Sequence, residues 1–392
     1  MRQRSVGSST AVWAETAVAG AFTPTAKCNR LFGRVEQMRA VVWTGQIEVR
    51  DDVEVRDLRS NEVRVRVHAA GLCHSDVSVV NGTIPFPTPA VLGHEGAGVV
   101  EAVGDSVRKV KVGDHVVLTT LGNCGQCDAC DRGQPTHCRD TSGKLRAPFT
   151  VGGDKAFQFA NAGVFAETTV VNETQAVVID PEVPLASASL IGCAVLTGTG
   201  AVLNRAKPRP GSSALVIGIG GIGLNVLQGL ALSQCGPIIA VDANPAKEAA
   251  ARQFGATHFI AASHGVDTAA AVKEICPLGV DYAFECVGHP GLIRQCIDLL
   301  DWGGSCVLLG VPKLGSEASF VVQSMYNDKS ILGCRYGAAR PHHDIPLFVD
   351  LYKAGKLKLD ELVSATFAPE DVQAALDAMH GGGLNRAVLD FT

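Results

Sequence analysis

The chain has 392 residues, of which 46% are apolar and 19% charged, enough material for two or three folded domains. Its net charge of −5, with no block of five like charges, argues against a nucleic-acid or anionic-membrane surface. No run of eighteen apolar residues occurs, so no transmembrane span is expected, and 13 cysteines cannot all pair within one chain.

Residues 1–37 are rich in Ser, Thr and Ala, with five basic residues against two acidic ones and no sustained periodicity. Glu15 interrupts the longest apolar stretch, which suits a secretory signal poorly. The segment reads as a disordered extension or an upstream start, because Met38-Arg-Ala-Val-Val-Trp43 looks like a natural beginning. From Met38 to about residue 194 the signals are mostly β. Glu62 to Val67 alternates strictly, a half-buried strand, and Gly98 to Val103 and His115 to Leu118 are short apolar runs between Gly-Asp turns.

After Leu196 strands alternate with helices. Ala214 to Ile217 reads as a buried strand, Ile222 to Leu232 as a helix, and Ile238 to Val241 as a second strand. Ala246 to Phe254 reads as a helix closed by Gly255, and His258 to Ile260 as a third strand. Val280 to Glu285, a helix near Leu292 to Leu300, and Cys306 to Leu309 continue the rhythm. Such a pattern implies a parallel, doubly wound α/β sheet covered on both faces. Near residue 336 the rhythm ends, and two helices follow, Ile345 to Ala354 and Pro369 to His380. The alternating part is expected to be an insertion between the β-rich portion and a C-terminal segment that rejoins it.

Gly218-Ile-Gly220-Gly221-Ile222-Gly223 follows a predicted strand and opens a predicted helix, the context that makes a dinucleotide motif informative. The first glycine permits the tight turn, the second a close approach of pyrophosphate, and the third close packing of helix on strand. Asp242 ends the next strand, nineteen residues past Gly223, where a carboxylate accepts from a ribose hydroxyl and repels a 2′-phosphate. NAD is therefore expected rather than NADP.

Cys124-x2-Cys127-x2-Cys130-x7-Cys138 places four thiols where they can close a tetrahedron around one Zn2+. Bacterial iron–sulfur spacing would bring the fourth cysteine after three residues with a proline behind it, and Arg139 stands there instead. The site is read as structural zinc. Cys73, His94 and Cys193 lie 21 and 99 residues apart, so spacing alone never joins them. As a Cys2His set they would leave a fourth zinc position open for chemistry.

In one colinear order, Cys73-His74-Ser75-Asp76, Gly93-His94-Glu95, the four-cysteine lobe, Ile191-Gly192-Cys193, the glycine motif, Val241-Asp242 and Arg386 resemble the zinc-containing alcohol dehydrogenases of the medium-chain dehydrogenase/reductase family. The match runs from Met38 to the C-terminus, and the stretch between Cys138 and Phe165 resembles the longer liver-type and formaldehyde-dehydrogenase-like branch. The resemblance implies a Rossmann NAD-binding domain over 196–336. It would be inserted in a β-rich GroES-like catalytic domain, 38–195 and 337–392, whose structural zinc lobe spans 121–140. Cys73, His94 and Cys193 would hold catalytic zinc, with Asp76 orienting His94, Glu95 behind the metal and Ser75 at the substrate oxygen. His74 would face the cofactor pyrophosphate, Lys247 the adenosine ribose and Arg386 the phosphates, with Thr197 and Ile222 against the nicotinamide. Two zinc ions per chain, one catalytic and one structural, and NAD are thereby implied.

Zinc would lower the pKa of the alcohol, Ser75 would pass its proton toward solvent, and hydride would move to the nicotinamide. Two positions depart from the liver-type pattern. Ser78 stands where the proton relay often ends in histidine, leaving water or His74 as substitutes. Thr120 and Ala160 replace larger apolar pocket residues, which favours a medium or aromatic primary alcohol such as benzyl alcohol over ethanol. The alternatives are a thiol-dependent formaldehyde dehydrogenase and, in another class, a non-catalytic NAD-binding sensor. A cytoplasmic homodimer or homotetramer is expected, with no nucleic-acid or membrane partner. Cys235, Cys276, Cys286, Cys296, Cys306 and Cys334 read as core packing, His342 and His343 as a loop before a helix, and Asp344 as a helix cap.

Overall fold

Alternation in the Glu62 segment continues into one long strand, Glu62–Leu72, the spine of the β-rich part. It pairs antiparallel with Glu95–Val103, Thr168–Asn172 and Arg386–Asp390. The sheet runs outward from Glu95–Val103 to His115–Leu118 and Ala176–Val178, and outward from Arg386–Asp390 to Val363–Phe367. The last strand of the chain thus lies beside one that begins more than three hundred residues earlier, in register from Ala387 opposite Leu72. A separate closed barrel is formed by Met38–Trp43, Ile47–Val55, Phe149–Val151, Asp154–Gln158 and Ala90–Val91. In this computed structural model, residues 37–141 and 143–392 are described, and the expected N-terminal extension lies outside them but for Gln37.

The alternating half forms a six-stranded sheet in the order His258–Ala261, Ile238–Asp242, Ala214–Ile217, Val280–Glu285, Leu300–Leu308, Ser330–Gly333, with every pair parallel. Successive side chains leave for opposite faces: Ala214 and Val216 join one core with Ala240 and Phe284, while Leu215 and Ile217 join another with Ile239 and Ala283. Burial on both faces is why these strands read as unbroken apolar runs. The chain is therefore the doubly wound α/β sheet with a GroES-like β-rich partner that the sequence leads one to expect.

Boundaries shift where capping chemistry decides. Asn244 accepts from the Ala246 amide, so the chain first makes a tight turn, Pro245–Lys247, and only then the helix Glu248–Gln253. Thr268–Ile275 is a helix that the sequence reading missed: it is short and Ala-rich, and is started by Asp267 accepting from Ala270. His342 and His343 are not in a loop. They occupy the first turn of the helix Pro341–Lys353, which Pro341 begins without needing its missing N–H. Asp344 lies inside that helix and reaches back to accept from the Arg340 amide at 2.8 Å, so it does cap the helix, from within.

Among the described residues no single helix is long and apolar enough to cross a membrane. The apolar bent pair Leu185–Gly192 and Ala194–Ala206 lies largely within the core. Its second arm packs tightly on the helix Gly221–Leu232: a Cβ on Gly198 would stand 2.5 Å from the Ile222 carbonyl oxygen. That contact holds the end of the Cys193 segment against the start of the glycine-motif helix.

Glu62, buried at the start of the spine strand, accepts from Arg56 at 2.7 and 2.8 Å and from Arg146 at 2.5 Å. Burial pushes its pKa up, but the two arginines and the Arg59 amide outweigh this and lower it from 4.5 to about 2. A depressed carboxylate stabilises above its unfolded value and loses that contribution as pH falls through the folded one. We expect Glu62→Gln to destabilise the protein by about 3 kcal/mol at neutral pH. In urea melts across pH, the deficit should be full above 4.5 and close as pH falls toward about 2.

Candidate functional site

Cys73 follows the spine strand and caps the short helix His74–Val80. His94 sits at the turn into Glu95–Val103, and Cys193 caps the helix Ala194–Gly200. Three distant stretches thus converge. Donor atoms of Cys73, His94, Glu95 and Cys193 all lie within 4.8 Å of one another, and all four residues are buried. Two thiols and an imidazole around one point are the donor set zinc takes, so these residues fit the metal. Glu95 comes closer than a place behind the metal requires, joining the cluster itself.

Asp76 organises three partners at once. Its carboxylate accepts from the Cys73 amide at 3.1 Å and the Gly93 amide at 3.0 Å, and Oδ1 lies 3.3 Å from His94 Nδ1. With Nδ1 engaged, Nε2 is the ring nitrogen left for a metal. The edge of the Phe159 ring closes on the His94 ring at 5.6 Å between centroids, fixing its plane. A hydrogen bond from Cys193, then the charge of His94, draws the Cys73 thiol well below the usual thiol range. The same hydrogen bond, with burial, drives Cys193 well above it. Burial opposes charge on His94, yet Asp76 and Cys73 hold its pKa well above the ordinary value. One sulfur is therefore ready to ionise before the other. Ser75 Oγ stands 3.9 Å from Cys73 Sγ, and His74 is exposed beside it.

Arg386, buried on the last strand, pairs with Glu95 Oε2, while Glu95 Oε1 is buried without a hydrogen-bond partner. Burial pushes the Glu95 carboxyl up to about 7, with Arg386 pulling against it and Cys73 adding to it. The arginine also reaches the glycine turn, since a Cβ on Gly221 would lie 2.7 Å from Arg386 Cδ.

The turn itself is built as a cradle. Gly218 has φ +92°, and a Cβ on Gly223 would stand 2.0 Å from the Gly218 carbonyl oxygen. At Gly220 nothing lies within 4 Å of such a carbon, so that face is open. Gly220 caps the helix with no side-chain acceptor, leaving its first amides for an anion. These features fit a dinucleotide pyrophosphate. Asp242 accepts from the amides of Ile219 at 2.7 Å and Asn244 at 2.9 Å, and an ionised carboxylate still has lone pairs for a hydroxyl. Lys247 is buried with Nζ donating to the Leu384 carbonyl at 2.6 Å, a contact the sequence did not indicate. Thr197 is buried in the helix after Cys193, and Ile222 is half-buried in the first turn of the glycine-motif helix.

Cys124, Cys127, Cys130 and Cys138 bring their sulfurs within 4.8 Å of one another and form no disulfide, so the set fits structural zinc. The Cys130 amide lowers the Cys127 thiol to about 7, while burial pushes Cys138 up to about 11. Cys276, Cys296 and Cys306 pack in the core of the six-stranded sheet, and Cys235, Cys286 and Cys334 against the adjoining one.

Sequence reasoning missed Tyr336. Its phenol reaches toward Thr120, with Cys193 and His94 among its neighbours. Only a run of positive φ marks the place, at Tyr336, Gly337 and Ala338, and two of these three residues are not glycine.

Residues 59–181 match the family described as the alcohol dehydrogenase GroES-like domain, and residues 221–354 the family described as zinc-binding dehydrogenase. The chain is 35% identical over 364 residues to the probable S-(hydroxymethyl)glutathione dehydrogenase 1 of Schizosaccharomyces pombe, covering 90% of this chain and 96% of that one. It is 36% identical over 376 residues to the class-3 alcohol dehydrogenase of Myxine glutinosa, covering 93% and 100%. The crystal structure of benzyl alcohol dehydrogenase from Acinetobacter calcoaceticus superposes with a TM-score of 0.86 at 33% identity, covering 91% of this chain and 99% of that one.

Removing the charge that orients His94 should be felt as metal affinity. For Asp76→Asn we expect about 10–100-fold weaker zinc binding at the Cys73, His94, Cys193 site. The four-cysteine lobe should keep its metal, so a chelator titration followed by zinc content should separate into two steps.

Proposed function

This chain belongs to the zinc-containing alcohol dehydrogenases of the medium-chain dehydrogenase/reductase family, and from that premise we propose that it oxidises a medium-sized or aromatic primary alcohol to its aldehyde. It is an NAD-dependent zinc alcohol dehydrogenase. The observation that carries the reading is the convergence of Cys73, His94 and Cys193 with Ser75 Oγ beside the Cys73 sulfur. Thr120 and the half-buried Ala160, in place of bulkier side chains, support the larger substrate.

When bound, zinc supplies a Lewis acid for the alcohol oxygen and NAD a hydride acceptor. Cys73, His94 and Cys193 would hold the catalytic ion, and Cys124, Cys127, Cys130 and Cys138 the structural one. Asp76 keeps His94 in the tautomer and orientation that ligation needs. Ser75 takes the alcohol's proton and passes it outward, and exposed His74 is the neighbouring group of this chain able to receive it. Gly218, Gly220, Gly221 and Gly223 would cradle the pyrophosphate with Arg386 and His74 at its charge. Asp242 and Lys247 would hold the adenosine ribose, and Lys247 keeps two ammonium protons beyond the one given to Leu384. Thr197 and Ile222 would flank the nicotinamide.

The names of the Schizosaccharomyces pombe and Myxine glutinosa relatives favour a second reading, thiol-dependent oxidation of formaldehyde. A non-catalytic sensor is disfavoured by an intact ligand set with Ser75 beside it. Twelve described cysteines without a disulfide support a reducing compartment, the cytoplasm. An oligomer is supported by the outer strand Ser330–Gly333, which pairs on one side only among the described residues. It is supported too by exposed Trp302, Leu314, Val322 and Tyr326 nearby in sequence.

NADH formation by the zinc-loaded protein should give a higher kcat/KM for benzyl alcohol than for ethanol. A ratio at or below one overturns the substrate size. Formaldehyde turnover that requires added low-molecular-weight thiol, with silence on the alcohols, selects the second reading. For Val322→Glu with Tyr326→Glu, light scattering should report a shift from dimer or tetramer toward monomer.

A further inference from the structure

Thr120 is 4% exposed, and its Oγ1 is buried without a hydrogen-bond partner of good geometry. A hydroxyl left in that state is costly, and the cost is removed by any ligand that brings an oxygen to it. The phenol of Tyr336 approaches the same hydroxyl, with Cys193 and His94 nearby. A phenol is protonated at neutral pH and able to donate. Two hydroxyls thus lie close together beside Cys193 and His94.

Tyr336 is held there by several independent contacts. Tyr336, Gly337 and Ala338 have φ of 46°, 64° and 49°, a left-handed run that costs energy wherever a Cβ is present. The turn is wedged against the helix that follows Cys193, since a Cβ on Gly337 would stand 2.1 Å from the Leu196 carbonyl oxygen. Arg335 places its guanidinium 5.5 Å from the Tyr336 ring centroid. The same guanidinium donates to the Thr136 carbonyl at 3.0 Å, in the four-cysteine lobe, and to Thr141 Oγ1 at 2.7 Å, just beyond it. A strained backbone over-determined in this way is a feature of functional sites rather than of ordinary loops.

We propose that Thr120 and Tyr336 form a hydrogen-bonding subsite that recognises a second oxygen on the substrate, so that the preferred alcohols are ring-hydroxylated benzyl alcohols rather than benzyl alcohol itself. The subsite rests on the alcohol dehydrogenase reading. A substrate hydroxyl accepts from the Tyr336 phenol and donates to Thr120 Oγ1, satisfying both groups. A methyl group of similar size satisfies neither, and sites built to bond a hydroxyl reject the analogue that lacks it.

The test compares kcat/KM for hydroxybenzyl alcohols with that for the matching methylbenzyl alcohols, in the zinc-loaded wild type, Tyr336→Phe and Thr120→Val. We expect at least one ring position at which wild type prefers hydroxyl over methyl by roughly tenfold or more. Either substitution should bring that ratio close to one, whatever it does to overall rate. The ratio is read within each variant, so a partial loss of active protein does not move it. A wild-type ratio near one at every ring position, as when a water fills the subsite for all substrates, overturns the inference. So does a ratio that both variants preserve. Turnover of the panel without the preference leaves the alcohol-oxidation reading standing, whereas silence toward every alcohol overturns both.

Discussion

A single buried ion pair, Glu95 with Arg386, joins parts of the molecule that would otherwise be separate problems. The partners are 291 residues apart and almost wholly buried. Two thiols, an imidazole and a carboxyl gather at one point, and once the thiols and the carboxyl ionise, a bound divalent cation and the neighbouring guanidinium would offset their charge. Burial disfavours the charge on Arg386, yet Glu95, Cys73 and Cys193 hold it protonated. Removing either partner of such a pair leaves an uncompensated buried charge, a cost of about 3–5 kcal/mol. Because the arginine lies on the strand Arg386–Asp390, that charge also pins the chain's last strand to the site. Because its side chain rests on Gly221, the residue that balances the donor cluster also stands where the dinucleotide phosphates would arrive.

Asp76 does for geometry what Arg386 does for charge. One carboxylate fixes the Cys73 backbone, the Gly93 backbone and the His94 ring. The tetrapeptide Cys73-His74-Ser75-Asp76 therefore carries a thiol of the donor cluster, a solvent-facing imidazole, a hydroxyl and an orienting carboxylate within one turn of helix. So dense a packing explains why the motif is so recognisable in a sequence.

What was legible follows from that density. The glycine turn and the four-cysteine lobe act through neighbours in the chain, and their spacing announces their geometry, whereas the roles of Cys73 to Asp76 are legible only through the family resemblance. Parallel strands buried on both faces announce themselves as apolar runs, and Ala214–Ile217 and Val280–Glu285 were read to the residue. What was hidden depends on contacts between remote segments. No spacing joins Cys73 to Cys193, and the Lys247 ammonium meets Leu384 across 137 residues. Thr268–Ile275 escaped because an Ala-rich helix buries few residues and so shows little periodicity. Tyr336 escaped because a left-handed turn normally advertises itself by glycine, and here glycine occupies only its middle position.

The same turn gives the four-cysteine lobe a meaning beyond stability. A closed four-thiol site does no chemistry, and its usual effect is to fold the loop that holds it. Here the residues flanking Cys138 present Thr136 and Thr141 to Arg335, whose guanidinium in turn lies against the Tyr336 ring. A single arginine thus ties the end of the four-cysteine segment to the turn that carries Tyr336.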